Sequence, residues 1–236
     1  MIHIEDRDLE TFALEEGDIA VPLEIYIPEG TGMPEITVYS RFCDIAGEFM
    51  KKYAASPFSG EAIDFLRESL MSAMTELGFD PSPDLGNCIR EYNLRDEAEL
   101  DRTRILPATR LIKNNAELQV LPNHTTHECC VDDEDEADAC AIQVEEGAIA
   151  AYAAVNDTHY DDNSVEIHVE CAPSYRNRGF AASCAAVLAE HLLKQGYTVR
   201  YCCRTNNAAS SRVAKKLGFK PAGTRFSFVC YRQGMV

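Results

Sequence analysis

A short stretch around residue 178 combines residue types that suit the binding of a phosphorylated ligand. Arg176, Arg178 and Gly179 lie in the sequence Arg-Asn-Arg-Gly-Phe-Ala, between a predicted strand and a predicted helix. The first turn of a helix presents backbone N–H groups without intrahelical partners and the positive end of the helix dipole, so it attracts anions. Gly179 permits a close approach of the main chain, and the small Ala181 leaves space beside it. By itself, the pattern is equally typical of a tight strand-to-helix turn.

The strand predicted just before this loop places three titratable side chains on one face. Residues 165–171 alternate strictly between apolar and polar types, and successive side chains of a strand point to opposite faces. Glu166, His168 and Glu170 therefore share a face. A carboxylate or imidazole there can remove a proton from a nucleophile, although charged groups in such positions are most often the solvated side of a sheet.

The surrounding pattern predicts the elements that position the loop and the strand. Apolar runs at 139–144 and 148–155, separated by Glu145-Glu146-Gly147, indicate an antiparallel hairpin. Beyond the loop we predict a helix over 182–195, a strand over 197–204, a helix over 207–217 and two short strands within 219–232. This order indicates an α/β (α+β) domain whose mixed, mostly antiparallel sheet is flanked by helices.

Residues 1–113 contain weaker signals and no motif with recognisable chemistry. Helical periodicity is present around 36–53 and 60–77, and Gly78 ends the second helix. We predict short strands near 88–92, 104–112 and 117–121, and polar or acidic connections at 81–86, 132–136 and 156–163. The chain is thus divided into a helical or mixed N-terminal region, 1–113, and a domain spanning 114–236.

Two motifs between residues 165 and 219 together resemble the GNAT superfamily of N-acetyltransferases. The loop is similar to the family's Arg/Gln-x-x-Gly-x-Gly/Ala pyrophosphate loop, with Pro173 and Tyr175 just before it. The segment from Asn207 to Phe219 reads Asn-Ala-Ala-Ser-Ser-Arg-Val-Ala-Lys-Lys-Leu-Gly-Phe and resembles a later helix of the family. Both motifs occur in the family's order. The resemblance covers the C-terminal part of the chain and says little about residues 1–113.

The resemblance implies a GNAT-like fold, acetyl-CoA as the co-substrate and direct transfer of the acetyl group to an amine. It assigns the pyrophosphate to the loop and the pantetheine arm to the backbone of the preceding strand, like an added strand. The thioester is expected where this strand and the strand over 197–204 diverge. The implied cofactor-binding residues are Val169, Cys171, Arg176, Asn177, Arg178, Gly179, Phe180, Ala181, Ala182, Asn207 and Ser210.

The resemblance also implies a base that deprotonates the amine, which family members often supply from the strand before the loop. Glu166 is the first choice because it lies far enough upstream to face an acceptor, and His168 is the second. Many relatives place a tyrosine on the later helix to protonate the departing thiolate. Here that position is Ala214, so the proton donor stays unassigned. Cys171 is interpreted as a core thiol, because the family does not generally form an acyl-enzyme.

The distribution of charge favours an anionic ligand and a cationic one. The net charge is −17, yet residues 172–236 contain eleven Lys or Arg against one acid, and residues 114–171 contain fifteen acids and no Lys or Arg. We therefore expect a small-molecule amine as the acceptor, with a cationic compound such as a polyamine or an amino-containing antibiotic favoured. Acidic loops that only keep the protein soluble are the alternative. Nucleic acid is not expected as a partner, because the basic residues lack interleaved exposed aromatics.

The remaining features predict a cytoplasmic protein with no metal. No run approaches the roughly 18 apolar residues of a membrane helix, and residues 1–6 do not resemble a secretory signal. The ten cysteines are interpreted as free, mostly buried thiols. The segment 124–130 offers His and Cys ligands, but no second pair follows at zinc-finger spacing.

Two other functions stay open from the sequence. A protein that binds coenzyme A without catalysis, as a sensor or interaction module, is compatible with Ala214 in place of the tyrosine. A metal or redox protein built on the cysteines ranks last. The residues do not fix the acyl-chain length, the acceptor or the oligomeric state. Residues 1–113 are expected to help to shape the acceptor pocket.

Overall fold

A computed structural model describes residues 1–5, 19–82, 88–132, 138–157 and 163–233. The chain forms two compact units, one of Met1–Arg90 with Ala222–Val236 and one of Glu91–Pro221. The sequence analysis divided the chain between residues 113 and 114. No local feature of the sequence indicates that the last strand returns to the first unit. The predicted connections at 81–86, 132–136 and 156–163 lie partly outside the described residues. No helix in the described ranges is long and apolar enough to cross a membrane.

The described residues form strands and helices of ordinary length, with short 3-10 turns between some of them. The strands are β1 (Ile2–Glu5), β2 (Ile19–Pro28), β3 (Glu35–Tyr39), β4 (Phe79–Pro81), β5 (Ile89–Leu94), β6 (Arg110–Ile112), β7 (Cys140–Glu145), β8 (Ala148–Asp157), β9 (Ser164–Cys171), β10 (Thr198–Arg204) and β11 (Lys220–Arg232). The helices are α1 (Cys43–Tyr53), α2 (Gly60–Glu76), α3 (Asn115–Gln119), α4 (Phe180–Lys194) and α5 (Ala208–Lys216).

The first unit contains a sheet as well as helices, so the helical expectation for the N-terminal region was incomplete. Strand β3 pairs with β1 in parallel and with β2 antiparallel, and β11 pairs antiparallel with both β2 and β4. Helices α1 and α2 contribute to the same core as the sheet, with Phe49 and Leu66 packed in a cluster with Leu23 and Phe226. The long strand β2 was missed altogether.

One of the two predicted N-terminal helices is confirmed and the other begins later. Helix α2 starts where Ser59 accepts a hydrogen bond from the backbone N–H of Ala62 at 3.3 Å. It ends before Gly78, whose φ is +85°. The helix predicted from residue 36 begins only at Cys43, because Glu35–Tyr39 pairs as β3. The consecutive β-branched residues Ile36, Thr37 and Val38 favour a strand in that segment.

Three further expectations were wrong in detail. The strand predicted at 117–121 is helix α3, which Asn114 caps by accepting from the backbone N–H of Ala116 at 2.8 Å. Only Arg110–Ile112 of the strand predicted at 104–112 forms. The two strands predicted within 219–232 are one strand, β11, whose register shifts between Phe228 and Cys230. An irregularity of this kind looks like a strand boundary in the sequence.

The second unit contains the predicted mixed, mostly antiparallel sheet. Strands β6, β7, β8 and β9 pair antiparallel in that order, and β10 pairs with β9 in parallel. The predicted hairpin of β7 and β8 turns at Glu146 and Gly147, both with positive φ, as a two-residue hairpin turn requires. Helix α4 belongs to a core with Ala151, Ala153 and Ile167, and a separate core contains Tyr152 and Ala154 from the opposite face of β8.

Candidate functional site

Strands β9 and β10 pair over only part of their length. Their parallel ladder runs from Ser164 opposite Thr198 to Ile167 opposite Tyr201. Both strands continue beyond this last rung, β9 to Cys171 and β10 to Arg204. Over residues 168–171, β9 retains its antiparallel partner β8 on one side. On the other side, these described residues form no ladder with β10. We call residues 164–167 the paired half of β9 and residues 168–171 its open half.

Hydrogen-bond alternation shows which backbone groups of the open half face the gap. The backbone N–H of Ala172 donates to the carbonyl oxygen of Ala150, in the strand β8, at 2.9 Å. In an antiparallel pair, alternate residues bond to the partner and the residues between them point away from it. His168 and Glu170 therefore direct their backbone groups to β8, whereas Val169 and Cys171 direct theirs to the open side. These are the two residues that the resemblance assigned to the pantetheine arm.

The loop that follows β9 ends at the first turn of α4. Asn177 and Gly179 both adopt positive φ, +63° and +87°, and Gly179 is the residue immediately before the helix. No side chain caps this helix end. The amides of Phe180, Ala181 and Ala182 lie in the first turn, where a helix offers no internal partner. An uncapped helix end of this kind can accept an anion, and the diphosphate site at these amides stays a prediction.

Two exposed arginines add positive charge beside these amides. The guanidinium of Arg178 lies 5.1 Å from the ring centroid of Tyr175 and donates to the carbonyl oxygen of Ser174 at 3.5 Å. The Nε of Arg176 donates to the carbonyl oxygen of Cys171 at 3.4 Å. Both contacts are long and solvent-exposed, so they hold the side chains only loosely.

The residues predicted on the later helix have local hydrogen-bond partners. The side chain of Asn207 caps α5 by accepting from the backbone N–H of Ser210 at 3.0 Å. The Ser210 hydroxyl lies 2.9 Å from the Tyr201 hydroxyl. Burial raises the pKa of Tyr201 to about 12, and Ala214 is fully buried. Tyr201 thus places a phenol at the last rung between the two strands.

The two base candidates lie on opposite sides of that rung. Glu166 belongs to the paired half, directly opposite Arg200 of β10, and accepts a hydrogen bond from Asn156 Nδ2 at 3.2 Å. His168 is the first residue of the open half. Desolvation around its ring lowers the pKa of His168 below the ordinary value, which keeps the imidazole neutral near pH 7.

Glu170, the third residue of this face, is held by a loop that sequence reasoning did not connect to it. Its carboxylate accepts from the backbone N–H groups of Thr126 and His127 at 2.7 and 3.2 Å and from the Tyr152 hydroxyl at 3.3 Å. The His127 Nδ1 lies 3.0 Å from the same carboxylate. Burial opposes ionisation of Glu170, yet these hydrogen bonds outweigh it and lower the pKa to about 2.

The thiol nearest the gap shows no sign of activation. Burial raises the pKa of Cys171 above its usual value, so the thiol is neutral near pH 7 and a poor nucleophile. Cys202 is half-buried and Cys203 is buried, as alternation along β10 predicts.

Comparison with known proteins gives a family match for part of the chain. Residues 140–225 match the family model GNAT acetyltransferase, which confirms the GNAT resemblance for this segment. No curated protein matches the chain. Solved structures with a similar course of the chain are an acetyltransferase assigned to the GNAT family from Novosphingobium aromaticivorans DSM 12444 (18% identity, TM-score 0.47, 62% of this chain), a GCN5-related N-acetyltransferase from Kribbella flavida (13%, 0.46, 74%) and a GCN5-related N-acetyltransferase-like protein from Streptococcus suis 89/1591 (15%, 0.47, 93%).

The match spans 65%, 75% and 92% of those three chains, respectively, so for the first it is just under two thirds of the protein's length. At these identities and TM-scores, neither substrate nor activity can be inferred from the three structures. The family match over residues 140–225 is the finding that relates this segment to the GNAT acetyltransferases.

Proposed function

We propose that the GNAT acetyltransferase segment at residues 140–225 belongs to an enzyme that transfers an acetyl group from acetyl-CoA to the amine of a small molecule. The observation that supports this most strongly is the parting of β9 from β10 after Ile167 and Tyr201, next to the uncapped first turn of α4. An open strand edge and an anion site in sequence along the chain suit a ligand that has an amide-containing arm and a diphosphate.

In this proposal the ligand follows the main chain from β9 into α4. The amides of residues 178–182 bind the diphosphate, and Arg176 and Arg178 add charge to the same site. The pantetheine arm pairs with Val169 and Cys171 as an added strand. Asn207 and Ser210 are the proposed side-chain neighbours of the arm, in addition to their observed roles in capping α5 and contacting Tyr201.

The chemistry is direct attack of the amine on the thioester carbonyl. A base is needed because an amine is mostly protonated near neutral pH and must lose a proton before it attacks. Glu166 is the proposed base, with His168 as the second choice. A backbone amide at the gap stabilises the oxyanion. The C–S bond then breaks, the acetyl group stays on the nitrogen, and the thiolate leaves with or without a proton from a neighbouring acid. No acyl-enzyme at Cys171 is required.

The acceptor is proposed from charge alone. Residues 114–171 contain fifteen acids and no Lys or Arg, and Glu166 and Glu170 of this segment share the face of β9 that His168 also occupies. A cationic amine is attracted to such a surface. The contribution of residues 1–113 to the acceptor pocket, the cytoplasmic location and the absence of a nucleic-acid or membrane partner stay predictions.

A non-catalytic coenzyme A-binding protein is the second candidate. The observation that favours it is the fully buried Ala214 at the position where many relatives place a proton-donating tyrosine. Such a protein would bind acetyl-CoA and release no thiol with any amine.

The test compares two glycines at opposite ends of α4. Gly179 and Gly196 have nearly equal φ, +87° and +89°, and a Cβ at either would meet no atom within 4 Å. Glu at either position therefore imposes a similar backbone cost, but only Gly179→Glu puts a carboxylate at the diphosphate site. We expect calorimetric acetyl-CoA affinity to fall by about 100-fold or more in Gly179→Glu and to change little in Gly196→Glu.

Turnover is then measured as thiol release from acetyl-CoA with a panel of amines that includes polyamines and amino sugars. Release that depends on an amine and is lost in Gly179→Glu supports the enzyme. Binding without release on any amine favours the second candidate. Equal acetyl-CoA affinity in the wild type and Gly179→Glu, or no affinity in the wild type, rejects both.

A further inference from the structure

Three side chains on the face of β9 and on a loop beside it form a cluster of metal-ligand type. His127 comes from the loop that precedes β7, and His168 and Glu170 come from β9. One ligand atom of each, a ring nitrogen of each histidine and a carboxylate oxygen of Glu170, lies within 4.8 Å of the other two. His127 is more than forty positions from His168 and Glu170 in the sequence, so the fold brings it to the two residues of β9.

The donor set is one that Zn²⁺ and related divalent ions prefer. Two imidazoles and a carboxylate are the ligands of many zinc sites that keep a fourth position open, with bond lengths of about 2.0–2.2 Å. Two donors on one ion can be at most about 4.2 Å apart at these lengths. The His127 Nδ1 and Glu170 Oε2 are already 3.0 Å apart, which corresponds to an angle close to 90° at the ion. In a tetrahedral site with these bond lengths the donors are about 3.4 Å apart, so the widest pair, at up to 4.8 Å, has to close by up to about 1.4 Å.

Hydrogen bonds from the neighbouring loop fix one member of the cluster, Glu170, in place. The carboxylate of Glu170 has only 16% of its side chain exposed and is fixed by the backbone N–H groups of Thr126 and His127. The same contacts hold the loop against β9. Second-sphere donors that orient a liganding carboxylate are a regular feature of metal sites, and the Tyr152 hydroxyl provides a further one at 3.3 Å. Glu170 is thus a preformed anionic anchor.

The two histidines are accessible from the solvent side. The side chain of His127 is 72% exposed, and its ring centroid lies 6.2 Å from that of His168 with the rings nearly perpendicular. Solvent can therefore deliver an ion and occupy its remaining positions. Without an ion, His127 and Glu170 form a carboxylate–imidazole hydrogen bond, and His168 contacts only the rings of His127 and Tyr152 among the described residues.

We infer that His127, His168 and Glu170 bind one divalent transition-metal ion of the zinc class, with at least one coordination position open to solvent. The inference goes beyond the proposed acetyl transfer and does not rest on it. It also reverses the expectation of no metal, because it joins one histidine of the segment 124–130 to β9 instead of seeking all four ligands within the segment. A metal-bound His168 has no free lone pair, so the ion and a base role for His168 exclude each other.

Cobalt provides the sharpest test, because the chain has ten cysteines that also bind soft metals. Protein freed of metal and kept reduced is titrated with Co²⁺ and followed by visible absorption. Zn²⁺ affinity is then obtained by competition. The variants are His127→Ala and His168→Ala. The matched control is His124→Ala, which removes a histidine of the same loop whose ring stacks on Tyr175, and Cys130→Ser removes the exposed thiol nearby.

We expect one Co²⁺ per chain without a thiolate-to-cobalt charge-transfer band, and at least about a tenfold loss of affinity in His127→Ala and in His168→Ala. His124→Ala and Cys130→Ser should bind like the wild type. Imidazole NMR signals of the wild type add a measurement that needs no variant, and Zn²⁺ should shift those of His127 and His168 but not that of His124. Absent binding, equal binding in His127→Ala, or binding lost only in Cys130→Ser overturns the inference. None of these results depends on acetyl-CoA.

Discussion

The two halves of β9 have similar sequences and different surroundings. The paired half, 164–167, lies between β8 and β10, whereas the open half, 168–171, has only β8 as its partner in the ladders of the described chain. The alternation of polar and apolar residues runs through both halves without a break. The difference lies in the partner and not in the strand itself, since β10 departs from β9 after Tyr201.

The two halves therefore have different roles, sheet pairing in the paired half and ligand binding in the open half. In the paired half the backbone is used for the sheet, so only side chains such as Glu166 are available to a substrate. In the open half the backbone of Val169 and Cys171 is available as well, and a ligand can complete the sheet there. The predictions below test whether the boundary between the halves, at Ile167 and Tyr201, is also the boundary between scaffold and site.

The largest effect is expected from loss of the base. Glu166→Gln keeps the shape of the side chain and an oxygen for Asn156, but it cannot accept a proton, so kcat should fall by about 10²–10⁴-fold. His168→Gln should lower kcat by less than about tenfold. Steady-state kinetics with a fixed amine separates the two. A larger loss of kcat in His168→Gln than in Glu166→Gln would make His168, in the open half, the base. Unchanged kcat in both variants would show that neither side chain removes the proton.

Proline substitution separates the halves at the level of the backbone. Val165 and Val169 have the same parity on β9, so in both the amide points away from β8. Val165→Pro removes an amide from the β9–β10 ladder and should lower the free energy of unfolding by about 2–4 kcal/mol. Val169→Pro should be milder for stability and reduce acetyl-CoA affinity about tenfold. Denaturant unfolding and calorimetry measure the two quantities, and an equal loss of stability in both variants would contradict the open half.

A smaller effect is expected at the boundary itself. Tyr201→Phe removes the hydroxyl next to Ser210 and keeps the buried ring. If this phenol protonates the departing thiolate, kcat should fall by about tenfold while acetyl-CoA affinity stays unchanged. A change in affinity without a change in kcat would instead assign the hydroxyl to cofactor binding, and no change in either would leave it as a packing group.

The smallest effect is expected at Cys171, whose backbone but not whose thiol takes part in the proposal. Cys171→Ala should alter kcat by less than about threefold, and mass spectrometry of the wild type quenched during turnover should find no acetyl group on this residue. An acetylated Cys171, together with a severe loss of activity in the alanine variant, would replace direct transfer by a covalent mechanism.

From Ala139 onward the sequence predicted the second unit well, because the signals there are local, whereas the strands predicted at 104–112 and 117–121 were wrong in detail. The hairpin of β7 and β8, the alternation of β9, the glycine before α4 and the helix predicted over 207–217 each depend on a few neighbouring residues. The first unit was harder to predict because its sheet is assembled from distant pieces. Strand β11 pairs with β2 about two hundred positions earlier, and no residue pattern announces such a partner.

The site divides in the same manner. The loop residues Arg176 to Ala182 and the shared face of Glu166, His168 and Glu170 could be read from spacing. The contact of Glu170 with Thr126 and His127 could not, because it depends on how a loop without regular structure returns to the sheet. The contact of Tyr152 with Glu170 could have been predicted from the sequence, since pairing of the hairpin with β9 places the two residues opposite each other.

Residue-resolved amide hydrogen exchange with and without acetyl-CoA tests the central claim most directly. Saturating acetyl-CoA should slow exchange at Val169 and Cys171, whose amides face the open side, and leave His168 and Glu170, which are already bonded to β8, nearly unchanged. Exchange at Val169 and Cys171 that stays the same at saturation would show that the open half of β9 does not receive the cofactor.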